Sequence, residues 1–152
     1  MNSEDAKRVV RNGYDRVSES YRTDDFALSG TGYERWLTML TPHLNERSRV
    51  LDLGCGCGIP VAKALATRHQ VTGVDLSPVQ VERAQRLVPD ARFVCADMTD
   101  VRFDEGSFDA VIHRARAAGV REMTSHVMYC FLVPGREPGS GATAPAAAAR
   151  RD

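Results

Sequence analysis

The segment that most constrains this chain is Asp52-Leu53-Gly54-Cys55-Gly56-Cys57-Gly58, placed directly after the short apolar run Arg49-Val50-Leu51. A strand ending in three alternating glycines must turn sharply and leaves no side chain between its backbone and a ligand. The pattern that follows, with Val61, Ala62, Leu65 and Ala66, is helical over Ile59 to about Thr67. The start of that helix directs unpaired N–H groups and a partial positive charge into the same space. In open α/β sheets, ligands bind past the carboxyl ends of the strands, at such turns.

The rest of the first 112 residues fits that frame. Gln70–Val74, Ala91–Cys95 and Phe108–Ile112 read as further strands, and Ser77-Pro78 opens a helix to about Leu87. Strands separated by helical segments need crossover connections, which predicts an α/β, Rossmann-like, doubly wound and mostly parallel sheet. Between the third and fourth strands there is room only for a turn. Ahead of the sheet, residues 5 to about 22 and Tyr33 to Leu40 read as two helices, the second stopped by Pro42. Arg114 to about Val133 reads as one more helix, and 134–152, almost all Pro, Gly, Ala and Arg, as a disordered tail. The expected organisation is an N-terminal helical lid over 1–48, a nucleotide-binding domain over 49–133 and a tail over 134–152.

Two ligand classes compete for the glycine loop. A dinucleotide site wants G-x-G-x-x-G, but the third position here is Ile59 and the extra glycine is Gly58. Asp52, two residues before Gly54, repels pyrophosphate and suits a ligand carrying an ammonium and a sulfonium, which favours S-adenosyl-L-methionine over NAD. Asp75, ending the second strand, can accept from ribose hydroxyls, a feature NAD proteins share. Asp97, just past the third strand with Met98, can accept from the exocyclic amine of adenine. Each has a plainer reading as well: Asp52 as a strand-end residue, Asp75 as a helix cap, Asp97 as a turn residue.

Residues 49–112 resemble the nucleotide-binding half of class I S-adenosylmethionine-dependent methyltransferases of the bacterial, small-molecule type. The resemblance rests on four motifs in order: Val50-Leu51-Asp52-Leu53-Gly54-Cys55-Gly56-Cys57-Gly58, Val74-Asp75-Leu76-Ser77, Ala96-Asp97-Met98 and Phe108-Asp109-Ala110-Val111-Ile112. It implies S-adenosyl-L-methionine as cofactor and a methyltransferase as the activity. It places Gly54 and Gly56 at the methionine moiety, Asp52 at its amino group, Asp75 at the ribose, and Asp97 and Met98 at adenine, with Leu76 also among the cofactor-binding residues. Tyr14 and Tyr21 resemble the tyrosines of a helix that closes over the cofactor, with Trp36 on the same wall; packing is the plainer role for all three. His113 falls where the family contacts the cofactor, and it could also serve as a base or lie in a solvent-facing loop. No catalytic residue is assigned.

The family sheet has seven strands in the order 3-2-1-4-5-7-6, and only strands 3-2-1-4 are recognisable here. Leu132-Val133-Pro134-Gly135 arrives early for the turn before the family's fifth strand. A fragment, an internal shortening and a changed reading frame are the open origins. Without further strands, the fourth would be an exposed edge, and self-association through it is expected. The alternatives to methyl transfer are an inactive module that binds cofactor or a partner chain and, behind it, an NAD-dependent oxidoreductase.

Composition narrows the partners. Twenty Lys+Arg balance twenty Asp+Glu for a net charge of +0, so no overall field draws nucleic acid or an anionic membrane. No apolar run approaches the roughly 20 residues of a membrane span, and the polar, acidic start is unlike a secretion signal. A cytoplasmic protein with a small-molecule acceptor is the expectation. Cys55 and Cys57 lack the spacing and companions of a metal site and read as small residues beside a tight loop; no metal is expected.

Overall fold

The computed structural model describes residues 2–116 and 126–132, and every structural statement refers to these. Two helices come first: α1 (Ser3–Tyr21) and α2 (Gly32–Leu40), the latter running into a 3-10 turn at Thr41–His43 that contains Pro42. Asn2 caps α1 by accepting from the Asp5 N–H at 2.8 Å, with Glu4 and Asp5 in the positive first turn. Thr31 caps α2 by accepting from the Glu34 N–H, and Glu34 reaches back to accept from the Gly30 N–H at 2.8 Å.

Then β1 (Arg49–Leu53), α3 (Val61–Ala66), β2 (Gln70–Asp75), α4 (Pro78–Leu87), β3 (Arg92–Cys95), β4 (Ala110–Arg116) and β5 (His126–Leu132) follow. The sheet order is β3-β2-β1-β4-β5; the first four strands are parallel and β5 is antiparallel to β4. The Rossmann-like core is therefore present, parallel as the alternating pattern predicts and in the order 3-2-1-4 that the family resemblance implies. Ser77 caps α4 by accepting from the Gln80 N–H at 3.1 Å, and Pro78 takes the first turn.

Strand β1 is buried on both faces. Val50 and Ile112 pack with Leu65, Ala84, Phe93 and the α2 residues Leu37 and Leu40. On the opposite face Leu51 packs with Val74, Val101 and Phe108. The strand starts are pinned together: Asp109 accepts from the Arg49 N–H at 2.7 Å and from its guanidinium at 2.8 Å, while the Asp109 N–H donates to the Arg49 carbonyl at 2.8 Å. This fixes the register Val50↔Ala110 through Leu53↔His113.

Three expectations need correction. The helix expected over Ile59–Thr67 begins at Val61 and ends at Ala66. The helix expected from Arg114 to Val133 is not formed where the structure is described: β4 runs on to Arg116 and His126–Leu132 is a strand. That run is apolar with little periodicity, so it suits either element, and the open backbone edge of β4 decides for pairing. Strand four is accordingly not an edge. Its partners run from Ala110↔Leu132 to Arg116↔His126, and the edge position passes to β5. The tail expected over 134–152 lies outside the described residues.

Candidate functional site

The carboxyl ends of β1, β2 and β3 carry the site. Past β1, Gly54, Gly56 and Gly58 take φ of +74°, +57° and +79°, the left-handed region where a side chain is strained. The loop is tied to the next strand by the Gly54 and Cys55 N–H groups, which donate to the Val74 carbonyl at 2.8 and 3.1 Å. Asp75 completes the tie: one carboxylate oxygen accepts from the Gly56 N–H and the other from the Ser77 N–H, both at 2.9 Å. At the end of β3, one oxygen of Asp97 accepts from the Thr99 N–H and hydroxyl, both at 2.7 Å.

Helix α1 lies across these ends. Ser77 donates to Asp15 at 2.5 Å, and the buried Ser18 donates to the buried Gln80 at 2.9 Å. Arg83, buried in α4, donates to Ser18 at 2.6 Å, to the Arg22 carbonyl at 2.7 Å and to Asp24 at 2.5 Å. Near the amino end of α1, the Lys7 ammonium sits 2.9 Å from the second Asp97 oxygen, 3.2 Å from Asp100 and 3.4 Å from Glu4. The bond to Asp97, then that to Asp100, raises Lys7 above its usual range. Burial works to raise the Asp97 carboxyl, but the bonds from Thr99 and Lys7 outweigh it and hold Asp97 below the usual carboxylate range.

Between α1 and the strand ends is a cleft of about 240 Å³. Tyr21, Gly54, Gly56, Asp75, Leu76, Asp97 and Met98 line it, which is seven of the nine residues expected from sequence; Tyr14 lines it as well. Tyr14 and Tyr21 meet edge to face at 5.8 Å between ring centres. The lining contains two carboxylates and no cationic side chain.

Two expected residues are elsewhere. Asp52 is only 3% exposed and sits within the sheet, opposite Gly73 and Ile112. His113 is half-buried beside Leu53, the residue before the loop, and its Nδ1 is buried with no hydrogen-bond partner among the described residues. Trp36, which the resemblance set on the cleft wall, takes its plainer role and packs against the core beside Leu37 and Leu40.

Sequence reasoning missed Lys7, Val10 and Gln80. A signal for the first was present: Lys7, Tyr14 and Tyr21 are seven apart and share one helix face. Gln80 carried none, because a glutamine in an amphipathic helix reads as solvent-facing.

The profile of the methyltransferase domain family matches residues 50–131, more than half of the chain. The chain belongs to the methyltransferase domain family. Among curated members, a malonyl-[acyl-carrier protein] O-methyltransferase of Halorhodospira halophila is 35% identical over 122 residues, covering 73% of this chain and 40% of that protein. A demethylmenaquinone methyltransferase of Clavibacter sepedonicus is 37% identical over 105 residues, covering 64% and 42%. The chain thus spans about two fifths of the length of these methyltransferases. Among solved structures, the [4+2]-cyclase SpnF superposes with a TM-score of 0.56 at 25% identity, covering 69% of this chain and 47% of that one.

Proposed function

We propose that this chain binds S-adenosyl-L-methionine in the cleft between α1 and the strand ends, and that it is a methyltransferase acting on a small-molecule acceptor. The observation that carries the reading is the lining of the cleft: a positive-φ glycine turn with Asp75 and Asp97, the nearby Lys7 ammonium being neutralised by Asp97, Asp100 and Glu4. Pyrophosphate needs positive partners, whereas a ligand bearing hydroxyls, amines and a sulfonium is complemented by carboxylates. The names of the relatives, a malonyl-[acyl-carrier protein] O-methyltransferase and a demethylmenaquinone methyltransferase, support the small-molecule class.

The residues present fit the cofactor. Asp75 has two oxygens on backbone N–H groups and spare lone pairs for ribose hydroxyls, since a carboxylate offers about four acceptor sites. Gly54 puts no side chain between its backbone and the cleft, with the Met98 methyl 3.7 Å from where a Cβ would lie. Asp97 and Met98 offer one acceptor and one apolar surface at the far end. Tyr14 and Tyr21 wall the cleft on the α1 side. The bound cofactor supplies an already activated methyl group, so the protein's contribution is alignment and exclusion of water. His113 lies outside the lining, next to the loop in register, and takes no part in holding the cofactor on this reading.

Calorimetric titration with S-adenosylhomocysteine tests the reading. Binding is expected, NADH is expected to bind far more weakly, and Asp75→Ala should weaken S-adenosylhomocysteine about 10- to 100-fold, the loss of charge-assisted bonds worth about 1.5–3 kcal/mol. No binding, or tighter binding of NADH, would refute it. The structural kinship to a protein named as a cyclase favours one second reading, a cofactor-binding module that transfers no methyl group. Labelled-methyl transfer to supplied acceptors separates the two.

A further inference from the structure

The ion cluster at the amino end of α1 touches the cleft at the carboxylate best placed for an adenine amine. An ammonium has three donors, and those of Lys7 are matched by three carboxylates, Glu4, Asp97 and Asp100, at 2.9–3.4 Å. Asp97 stands between the cleft of about 240 Å³ and an adjoining cavity of about 360 Å³ that Glu4, Lys7 and Asp100 line. The pairs to Asp97 and Asp100 tie the amino end of α1 down upon the strand ends. We propose that Lys7 is a latch on α1, and that a purine amine arriving at Asp97 takes over that carboxylate and releases it.

This rests on the cofactor reading of the same cleft. The far end of α1 is anchored independently by Ser18, Gln80 and Arg83, so only the Lys7 end is free to lift and the helix pivots rather than detaches. Lys7 therefore lowers apparent affinity, because the ligand binds only the fraction of molecules with α1 raised. Asp97 keeps its Thr99 bonds throughout, which hold the carboxylate in place for either partner.

The test uses the full chain and the variant Lys7→Met, with Asp100→Asn as a milder variant that leaves every cleft residue intact. Without ligand, Lys7→Met should speed hydrogen exchange of the first two turns of α1 while the sheet amides stay unchanged. By calorimetry, it should bind S-adenosylhomocysteine about three- to tenfold more tightly, the scale of a partly exposed ion cluster. Asp100→Asn should shift both readouts the same way by less, and it decides the matter if Lys7→Met fails to fold. Unchanged exchange in α1 overturns the latch. Equal or weaker binding overturns the competition and makes Lys7 a support for Asp97. If neither protein binds S-adenosylhomocysteine, the cofactor reading and the displacement step fail together, while the exchange measurement still decides whether Lys7 holds α1.

Discussion

Gly73 lies in mid-strand with no room for a side chain: a Cβ there would stand 2.6 Å from Phe93 and 2.7 Å from the Cys55 sulfur. Gly73→Ala should therefore lower stability by about 1–3 kcal/mol, read as a lower urea midpoint. The same contact explains the buried Cys55 as a small residue filling space beside the loop. His69 is a second case. Burial, followed by the nearby Arg68 charge, pushes its imidazole below the usual 6.5. The unfolded chain then takes up the proton first as pH falls. Stability is full above about 6.5 and is lost below it, down to the folded value. A melting temperature that falls between neutrality and mild acid, and falls less in His69→Phe, is the expected outcome. For Asp75 and Asp97 the competing sequence readings turn out compatible: each bonds the local backbone and lines the cleft. Sequence could weigh these roles only as alternatives, since carboxylate geometry is set by the fold.

Helix α1 was legible in extent but not in orientation. Its apolar residues Val9, Val10, Tyr14, Val17 and Tyr21 mark the helix, yet all are 41–59% exposed. The side that docks on α4 is polar, through Asp15 and Ser18. Arg83 holds this joint, and Arg83→Met would strip donors from the buried Ser18 hydroxyl, the Arg22 carbonyl and Asp24. A loss of about 1–3 kcal/mol is expected for the orphaned groups, with faster hydrogen exchange concentrated in α1; exchange accelerated evenly across the sheet would contradict it. Strand β5 shows the opposite failure. His126–Leu132 carries no decisive periodicity, and only the neighbouring edge of β4 makes it a strand.

At the scale of the molecule, the sheet ends at β3 and β5 among the described residues. Self-association remains a proposal, now assigned to the β5 edge: unpaired N–H and C=O groups there invite a second strand. Sedimentation velocity should show a coefficient that rises with concentration, and a single monomeric species throughout would rule it out. No helix among the described residues is long and apolar enough to cross a membrane. Local pattern by itself determined the parallel sense of the strands, the glycine turn and the acidic strand ends, because alternation, capping and glycine placement act over a few neighbouring residues; their order came with the family resemblance. Tertiary structure alone decided that Asp52 and Trp36 face inward, that Lys7 meets Asp97 and that β5 closes on β4. Those outcomes depend on groups distant in the chain satisfying one another's charge and hydrogen bonds, and no local period records such pairings.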